Sequence, residues 1–391
     1  MTLPHTPQRI LIAHNFYQFA GGEDSVVRSE AQLLEKHGHD VQLYSRHNDE
    51  IISTGKPKLA IETFWSRKTV NEIEQLIDNY KPDIIHAHNT FPLISGSLYW
   101  TAATRGIPVV QTIHNFRLMC IQAMFLREGK VCEDCLGKSP IRGVLRKCYR
   151  GSTSASLVAG SALSMHRWKG TYSKTISAYI ALNEFCKQKL IEGGLPPNKI
   201  FVKPNFVDLD VYPGHRRTGN PLFVGRLSDE KGVTQLLAAL DQSPGMIVDF
   251  AGDGPLKDVV IAHPQANYLG LLGTTSLQKT LLNAPFLLMP SIWYENMPRT
   301  LVEAYACGTP VFASKLGALA ELIEQDVTGL LFSPGDSRDI ASTLKYGVNN
   351  MARVRQLGAN ARRRYEASYT SAENYQSLAN IYNQVTSQGV N

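Results

Sequence analysis

Phe223-Val224-Gly225-Arg226-Leu227, then Lys231-Gly232, then the periodic apolar run Val233–Leu240, carries the clearest fold signal in the chain. A short apolar run ending at glycine, a polar loop and an amphipathic helix together make the strand–loop–helix unit of a parallel sheet. The glycine permits close backbone approach, and two cations within six positions on such a loop suit a diphosphate. Taken alone, Arg226 and Lys231 read more readily as surface side chains. The next strand, Met246–Ala251, runs into Gly252-Asp253-Gly254-Pro255, either a second loop of this kind or a simple turn.

The alternation continues on both sides of this stretch. Downstream come a strand at Ala266–Leu269, a helix at Thr275–Asn283, a strand at Phe286–Pro290, a helix at Pro298–Cys307 and a strand at Pro310–Ala313. Upstream, Ile10–Ala13 reads as a buried strand, His14–Asp24 as a loop containing Gly21-Gly22, Ser25–His37 as a helix and Val41–Tyr44 as a strand. Further strands are expected at Asp83–Ala87, Pro108–Thr112, Ala178–Leu182 and Ile200–Lys203, with helices at Glu72–Tyr80, Ser97–Arg105, Ser152–Trp168 and Glu184–Glu192. The polar stretch Tyr212–Pro221, with Pro213-Gly214 and Thr218-Gly219-Asn220, looks like a linker. The expectation is two doubly wound α/β domains facing across a cleft: residues 1–212, residues 213–365, and a C-terminal helix at 366–391 crossing back to the first domain. Ligands of such sheets bind at the carboxyl ends of the strands.

Length and composition agree. A chain of 391 residues with 43% apolar and 19% charged residues is a globular protein large enough for two cores. No run approaches the ~18 apolar residues of a membrane span. The polar Met1–Arg9 carries no signal-peptide pattern, so a cytoplasmic location is expected.

A third cluster, Trp293-Tyr294-Glu295-Asn296-Met297-Pro298-Arg299-Thr300-Leu301-Val302-Glu303-Ala304, sets one carboxylate before a helix that Pro298 can start and another inside it. The helix start offers unpaired amides to an anion, and both carboxylates can accept hydrogen bonds from hydroxyl groups. In the first half, His86 and His88 share one face of a strand end, and Thr112-Ile113-His114-Asn115 ends another strand.

As an ordered set, Gly225-Arg226-Leu227, Lys231-Gly232, Gly252-Asp253-Gly254-Pro255-Leu256 and the Glu295…Glu303 pair with seven residues between resemble family 4 glycosyltransferases of the GT-B fold, built from two Rossmann-like domains. Cys307-Gly308-Thr309-Pro310-Val311, Gly317 with Glu321, and Gly329-Leu330-Leu331 extend the resemblance over essentially the whole chain. It implies a retaining transferase that uses a nucleotide-diphosphate sugar without a catalytic metal. It implies that Arg226 and Lys231 hold the diphosphate, Glu303 the ribose and Glu295 the donor sugar, with Gly21, Gly22, Gly225, Asn296 and Met297 completing the donor site. It also implies that His114 faces the donor sugar, catalysis resting on it and on Glu295, while His88 lies toward the acceptor. Pro204-Asn205-Phe206-Val207-Asp208 matches the family's segment before the linker. The family's glycine and aromatic after the first glutamate are replaced here by Asn296-Met297-Pro298. With no evident catalytic base, front-face retention fits, the leaving phosphate taking the acceptor's proton. A glycan or lipid-linked acceptor in cell-surface polysaccharide synthesis is the expected setting. A nucleotide-sugar epimerase of similar shape and a catalytically silent nucleotide-sugar sensor or scaffold are the rival readings. No nucleic-acid partner is expected.

Two features stand apart. Cys120, Cys132, Cys135 and Cys148, spaced C-x11-C-x2-C-x12-C within the Cys- and Arg-rich insertion Arg117–Gly151, suit a structural zinc site. Free thiols and a redox disulfide are the alternatives. From Leu136 to Asn183 there is no Asp or Glu, whereas Lys138, Arg142, Arg146, Lys147, Arg150, Arg167, Lys169 and Lys174 are cationic. This stretch is a solvated surface, or a face for anionic lipid at the inner membrane or for a phosphorylated acceptor.

Overall fold

The structure, a computed structural model, describes residues 7–18, 21–209, 211 and 217–388. The expected domain boundary at 212/213 and the start of the linker lie outside the described residues. Two compact units divide the chain: the first takes residues up to Met124, Glu133–Pro204 and the chain from Asn374 on, and the second takes Phe125–Cys132 and Asn205–Glu373. The division therefore falls at Pro204/Asn205.

The first unit is built on a parallel sheet of β1 (Arg9–Phe16), β2 (Asp40–His47), β3 (Ile84–Ala87), β4 (Val109–Thr112), β7 (Ala178–Ala181) and β8 (Ile200–Val202). Between β4 and β7 lies a small antiparallel hairpin, β5 (Leu126–Arg127) with β6 (Lys130–Val131). The strand order is β2-β1-β3-β4-β7-β8. Residues Ile10–Ala13 are wholly buried, as an inner parallel strand covered on both faces requires. The order reverses between β1 and β3, both parallel neighbours, and this switch point opens a crevice at their carboxyl ends. The helix after β1 runs Gly22–Lys36 rather than starting at Ser25, so the glycine pair sits at its N-terminus. Helices at Glu50–Ser53 and Lys56–Phe64, not anticipated from the sequence, fill the chain before the helix Arg67–Tyr80, whose Ser66 cap accepts from the Thr69 amide.

The second unit carries β9 (Leu222–Val224), β10 (Val248–Ala251), β11 (Ala266–Gly270), β12 (Leu287–Met289), β13 (Val311–Ser314) and β14 (Gly329–Phe332). Their order, β11-β10-β9-β12-β13-β14, is that of a dinucleotide-type doubly wound sheet with its switch point between β9 and β12. Phe223, Phe250, Phe286 and Phe312 anchor its core with Leu236, Leu240 and Leu344. The hairpin β5–β6 is grouped with this unit, although the whole insertion was expected in the first domain. The Phe125 ring meets Tyr294 edge-on at 6.2 Å. The last helix, Ser371–Gln388, leaves the second unit and from Asn374 onward belongs to the first. Among the described residues no helix is long and apolar enough to cross a membrane.

Candidate active site

In the second unit the loop after β9 and the loop after β10 are joined by their backbones. The Gly225 amide donates to Ala251 O at 3.0 Å, Leu227 N to Asp253 O at 2.9 Å and Leu256 N to Leu227 O at 2.9 Å. A Cβ at Gly252, whose φ is +143°, would stand 1.9 Å from the Gly225 carbonyl. Gly252 is thus required by the close approach of the two loops. Gly232, with φ +74°, similarly has no room for a side chain, since a Cβ would meet Pro290 O at 1.9 Å. It turns the chain from the short 3-10 helix Asp229–Lys231 into the helix Val233–Asp241. This pins Lys231 beside the end of β12.

There Lys231 Nζ donates to Glu295 Oε1 at 2.7 Å. The same oxygen accepts from Ser291 Oγ at 2.7 Å and Trp293 Nε1 at 3.0 Å. Lys231 also lies over the Trp293 ring, 5.3 Å from its centroid. Glu295 is buried, its Oε1 saturated, and Oε2 has no protein donor among the described residues. Arg226, by contrast, is exposed and its guanidinium takes part in no ion pair among the described residues. The helix that follows is Arg299–Ala306, capped by Pro298 instead of beginning on it. Glu303, within it, is buried and accepts from Arg299 Nε at 3.0 Å. Met297 is held from behind: Asn205 donates Nδ2 to its carbonyl at 3.0 Å and its amide to the sulfur at 3.1 Å. Gly225, Arg226, Lys231, Glu295 and Met297 therefore converge on the β9/β12 switch point. Ser291 was not singled out from the sequence, and Trp293 stood there only as the start of the cluster around Glu295, without this role. They lie four and two residues before Glu295, in the loop that follows β12.

In the first unit the switch point between β1 and β3 holds histidines. His88 Nδ1 and His114 Nε2 share a hydrogen bond of 2.9 Å with their rings stacked, and His86 packs on His88 at a centroid distance of 4.3 Å. His86 is itself held by the Tyr382 hydroxyl at 2.7 Å and Thr112 Oγ1 at 2.8 Å. Burial pushes its imidazole down to about 4. Burial also pushes His88 and His114 well below the usual histidine range, so neutral rings face this crevice. His14, at the end of β1, pairs with Asp24 at 2.8 Å. Asp24 also accepts from the Gly21 amide at 3.1 Å, which fixes the glycine pair at the helix start. No described atom lies within 4 Å of a Cβ built at Gly21 or Gly22.

A second carboxylate, Glu23, was missed because it stands between that glycine pair and Asp24 in what read as loop. It lines a cavity with His88, His114, Asn115 and Arg117. The Tyr17 hydroxyl donates to it at 2.9 Å. Desolvation by burial, aided by the neighbouring Asp24 charge, raises its carboxyl to about 7.

The cysteines are free thiols, Cys135 buried and Cys120, Cys132 and Cys148 half-buried. Cys120, Cys135 and Cys148 belong to the first unit and Cys132 to the second. Among the described residues, the group whose potential ligand atoms lie within 4.8 Å of one another is Glu30, His86 and His88. Lys203 Nζ, at 3.2 Å from Glu30, already supplies the positive charge there.

Two doubly wound parallel sheets, each with its polar cluster at the switch point, define the class: a two-domain nucleotide-type α/β protein. The chain belongs to glycosyltransferase family 4, of GT-B type. The model described as Glycosyltransferase Family 4 matches residues 20–211, and that of Glycosyl transferases group 1 matches residues 220–364. The chain is similar to the sulfoquinovosyl transferase SQD2 of Arabidopsis thaliana, with 24% identity over 83% of this chain and 61% of that one. It is similar also to a glycogen synthase of Mycobacterium tuberculosis, 31% identical over 74% of this chain and 66% of that one. These matches thus span under two thirds of each relative. Among solved structures, the sucrose-phosphate synthase of Thermosynechococcus elongatus superposes with a TM-score of 0.72 at 18% identity, covering 97% of this chain and all of that one. HepE of Anabaena, solved with UDP and glucose, superposes with a TM-score of 0.66 at 19% identity over 95% of this chain and 98% of that one.

Proposed function

We propose that the protein transfers a sugar, with retention of configuration, from a nucleotide-diphosphate sugar to a glycan or lipid-linked acceptor in the synthesis of a cell-surface polysaccharide. The observation that carries this reading is the Lys231–Glu295 pair of 2.7 Å at the switch point, with the unpaired guanidinium of Arg226 beside the same glycine loop. A lysine held by a carboxylate has a fixed position, and an unpaired arginine is ready for a bidentate phosphate contact. In this reading Arg226 and Lys231 bind the diphosphate and Glu303 the ribose hydroxyls. Glu295 Oε2 accepts from a sugar hydroxyl, and Asn296 and Met297 border the sugar. Gly21 and Gly22 leave room for a ligand at a helix N-terminus.

In the transfer step the bond from the sugar C1 to the phosphate oxygen breaks as the acceptor oxygen bonds C1 on the same face. The acceptor's proton passes to the leaving phosphate. His114, neutral, orients a donor-sugar hydroxyl and His88 faces the acceptor. Stabilising the leaving diphosphate is the electrostatic task of Arg226 and Lys231. HepE was solved with UDP and UDP-glucose, which makes UDP-sugars the first donors to try. Calorimetric titration with UDP-, GDP- and ADP-sugars tests the reading: one nucleotide sugar should bind with affinity that Arg226→Ala weakens. Absence of binding across the panel would overturn it.

A further inference from the structure

The acid-free stretch is not uniformly basic in space. Arg142 and Arg146 share Asp134. Arg167 turns inward and donates to the carbonyls of Lys138 and Leu118, its side chain half-buried. Lys138, Lys147, Arg150, Lys169 and Lys174 remain exposed and outside any ion pair among the described residues.

Among these cations stand apolar side chains with nothing to cover them. The helix Ile141–Leu145 buries Gly143 against Ile121 and half-buries Val144 against Gly160. One turn apart on its opposite side, Ile141 is 59% and Leu145 75% exposed. The helix Thr153–Lys169 packs on it through Ala159, Gly160 and Leu163. Its outward stripe, Leu157, Ser161, Ser164 and Trp168, carries no charge, with Leu157 54% and Trp168 84% exposed. Single exposed leucines need no explanation, but four large apolar side chains on two packed helices, in the same stretch of chain as five exposed cations, do.

We propose that the outward faces of the Ile141–Leu145 and Thr153–Lys169 helices dock on an anionic lipid bilayer, with Trp168, Leu145, Ile141 and Leu157 entering the interface and the unpaired cations meeting lipid phosphates. A free phosphorylated molecule would use the cations and leave the apolar side chains in water. A bilayer interface takes both, and tryptophan is the side chain that favours this depth. The surface lies within the first unit and stands independently of the donor assignment.

Sedimentation of the full chain with vesicles of phosphatidylcholine, with and without phosphatidylglycerol, at low and high salt, tests it. Binding should require phosphatidylglycerol and weaken with salt. Leu145→Ser with Trp168→Ser should lower the partition coefficient by at least about tenfold, since each apolar contact contributes to insertion. Leu271→Ser, an exposed apolar position of the second unit, should leave it unchanged. Circular dichroism and UDP titration of the double variant check that the fold and the donor site are intact. Equal binding to both vesicle types, or an unchanged partition in the double variant, overturns the proposal. So does a wild-type dimer in solution that the double variant abolishes, because a second copy would then cover the patch. Loss of UDP binding in the wild type would count against the donor reading alone.

Discussion

Lys203 Nζ lies 3.2 Å from Glu30 Oε2, and both side chains are almost entirely removed from water. The lysine also donates to Asn374 at 3.2 Å, and Asn374 in turn donates to the Pro204 carbonyl. The pair therefore ties the helix after β1 and the end of β8 to the last helix. Removing one partner strands a buried charge, which costs about 3–5 kcal/mol, whereas replacing both by apolar groups of similar volume is often neutral. Lys203→Ala should accordingly lower unfolding stability by that amount in denaturant titration. Lys203→Met with Glu30→Leu should recover most of the loss.

Arg226→Ala and Lys231→Ala should each weaken nucleotide-sugar binding by on the order of 10- to 100-fold, because a charge-assisted hydrogen bond contributes roughly 1.5–3 kcal/mol. Lys231→Ala also frees Glu295, so Glu295→Gln on that background should restore part of the affinity. Calorimetry reads all three. Unchanged affinity in both single variants would remove these residues from the donor site.

The histidine cluster makes stability depend on acid. His86 is held at about 4 against an ordinary 6.5, so the unfolded chain takes up its proton first as pH falls. Its contribution is fully present above about 6.5 and is lost as pH drops through about 4, a change on the order of 3 kcal/mol. Glu23 has the opposite sign: its carboxyl is raised to about 7 from 4.5, so its stabilisation is greatest at low pH and disappears as pH rises through 7. Urea unfolding between pH 4 and 8 should show Glu23→Gln gaining on the wild type as pH rises. A constant difference would mean that Glu23 titrates as an ordinary surface carboxylate.

A zinc ion on Cys120, Cys132, Cys135 and Cys148 is a proposal that metal content checks directly. It expects about one equivalent in purified protein and loss of stability on chelation, since ligand binding energy at structural sites is folding energy. Metal-free protein with four thiols titratable under native conditions would remove it. The proposed nucleotide-sugar binding at Arg226 should survive chelation in either case.

The alternation of apolar runs and helices, and the ordered loops from Gly225 to Glu303, were legible in the sequence because each depends on neighbours within a few positions. Gly232 before Val233, or Glu303 eight residues after Glu295, carries its meaning locally. Tertiary structure decided the rest. Glu30, His86, Lys203 and Tyr382 form one buried network although they come from four distant segments, and periodicity reports which face is buried without naming the partner across it. The Gly21-Gly22 pair read as loop because glycine disfavours helix interiors, yet Asp24 caps the Gly21 amide and starts the helix there. The basic run from Lys138 to Lys174 counted eight cations in the sequence. Only the fold shows that Asp134, placed before the run, partners two of them and that backbone carbonyls take a third, because charge is neutralised by distance in space and not along the chain.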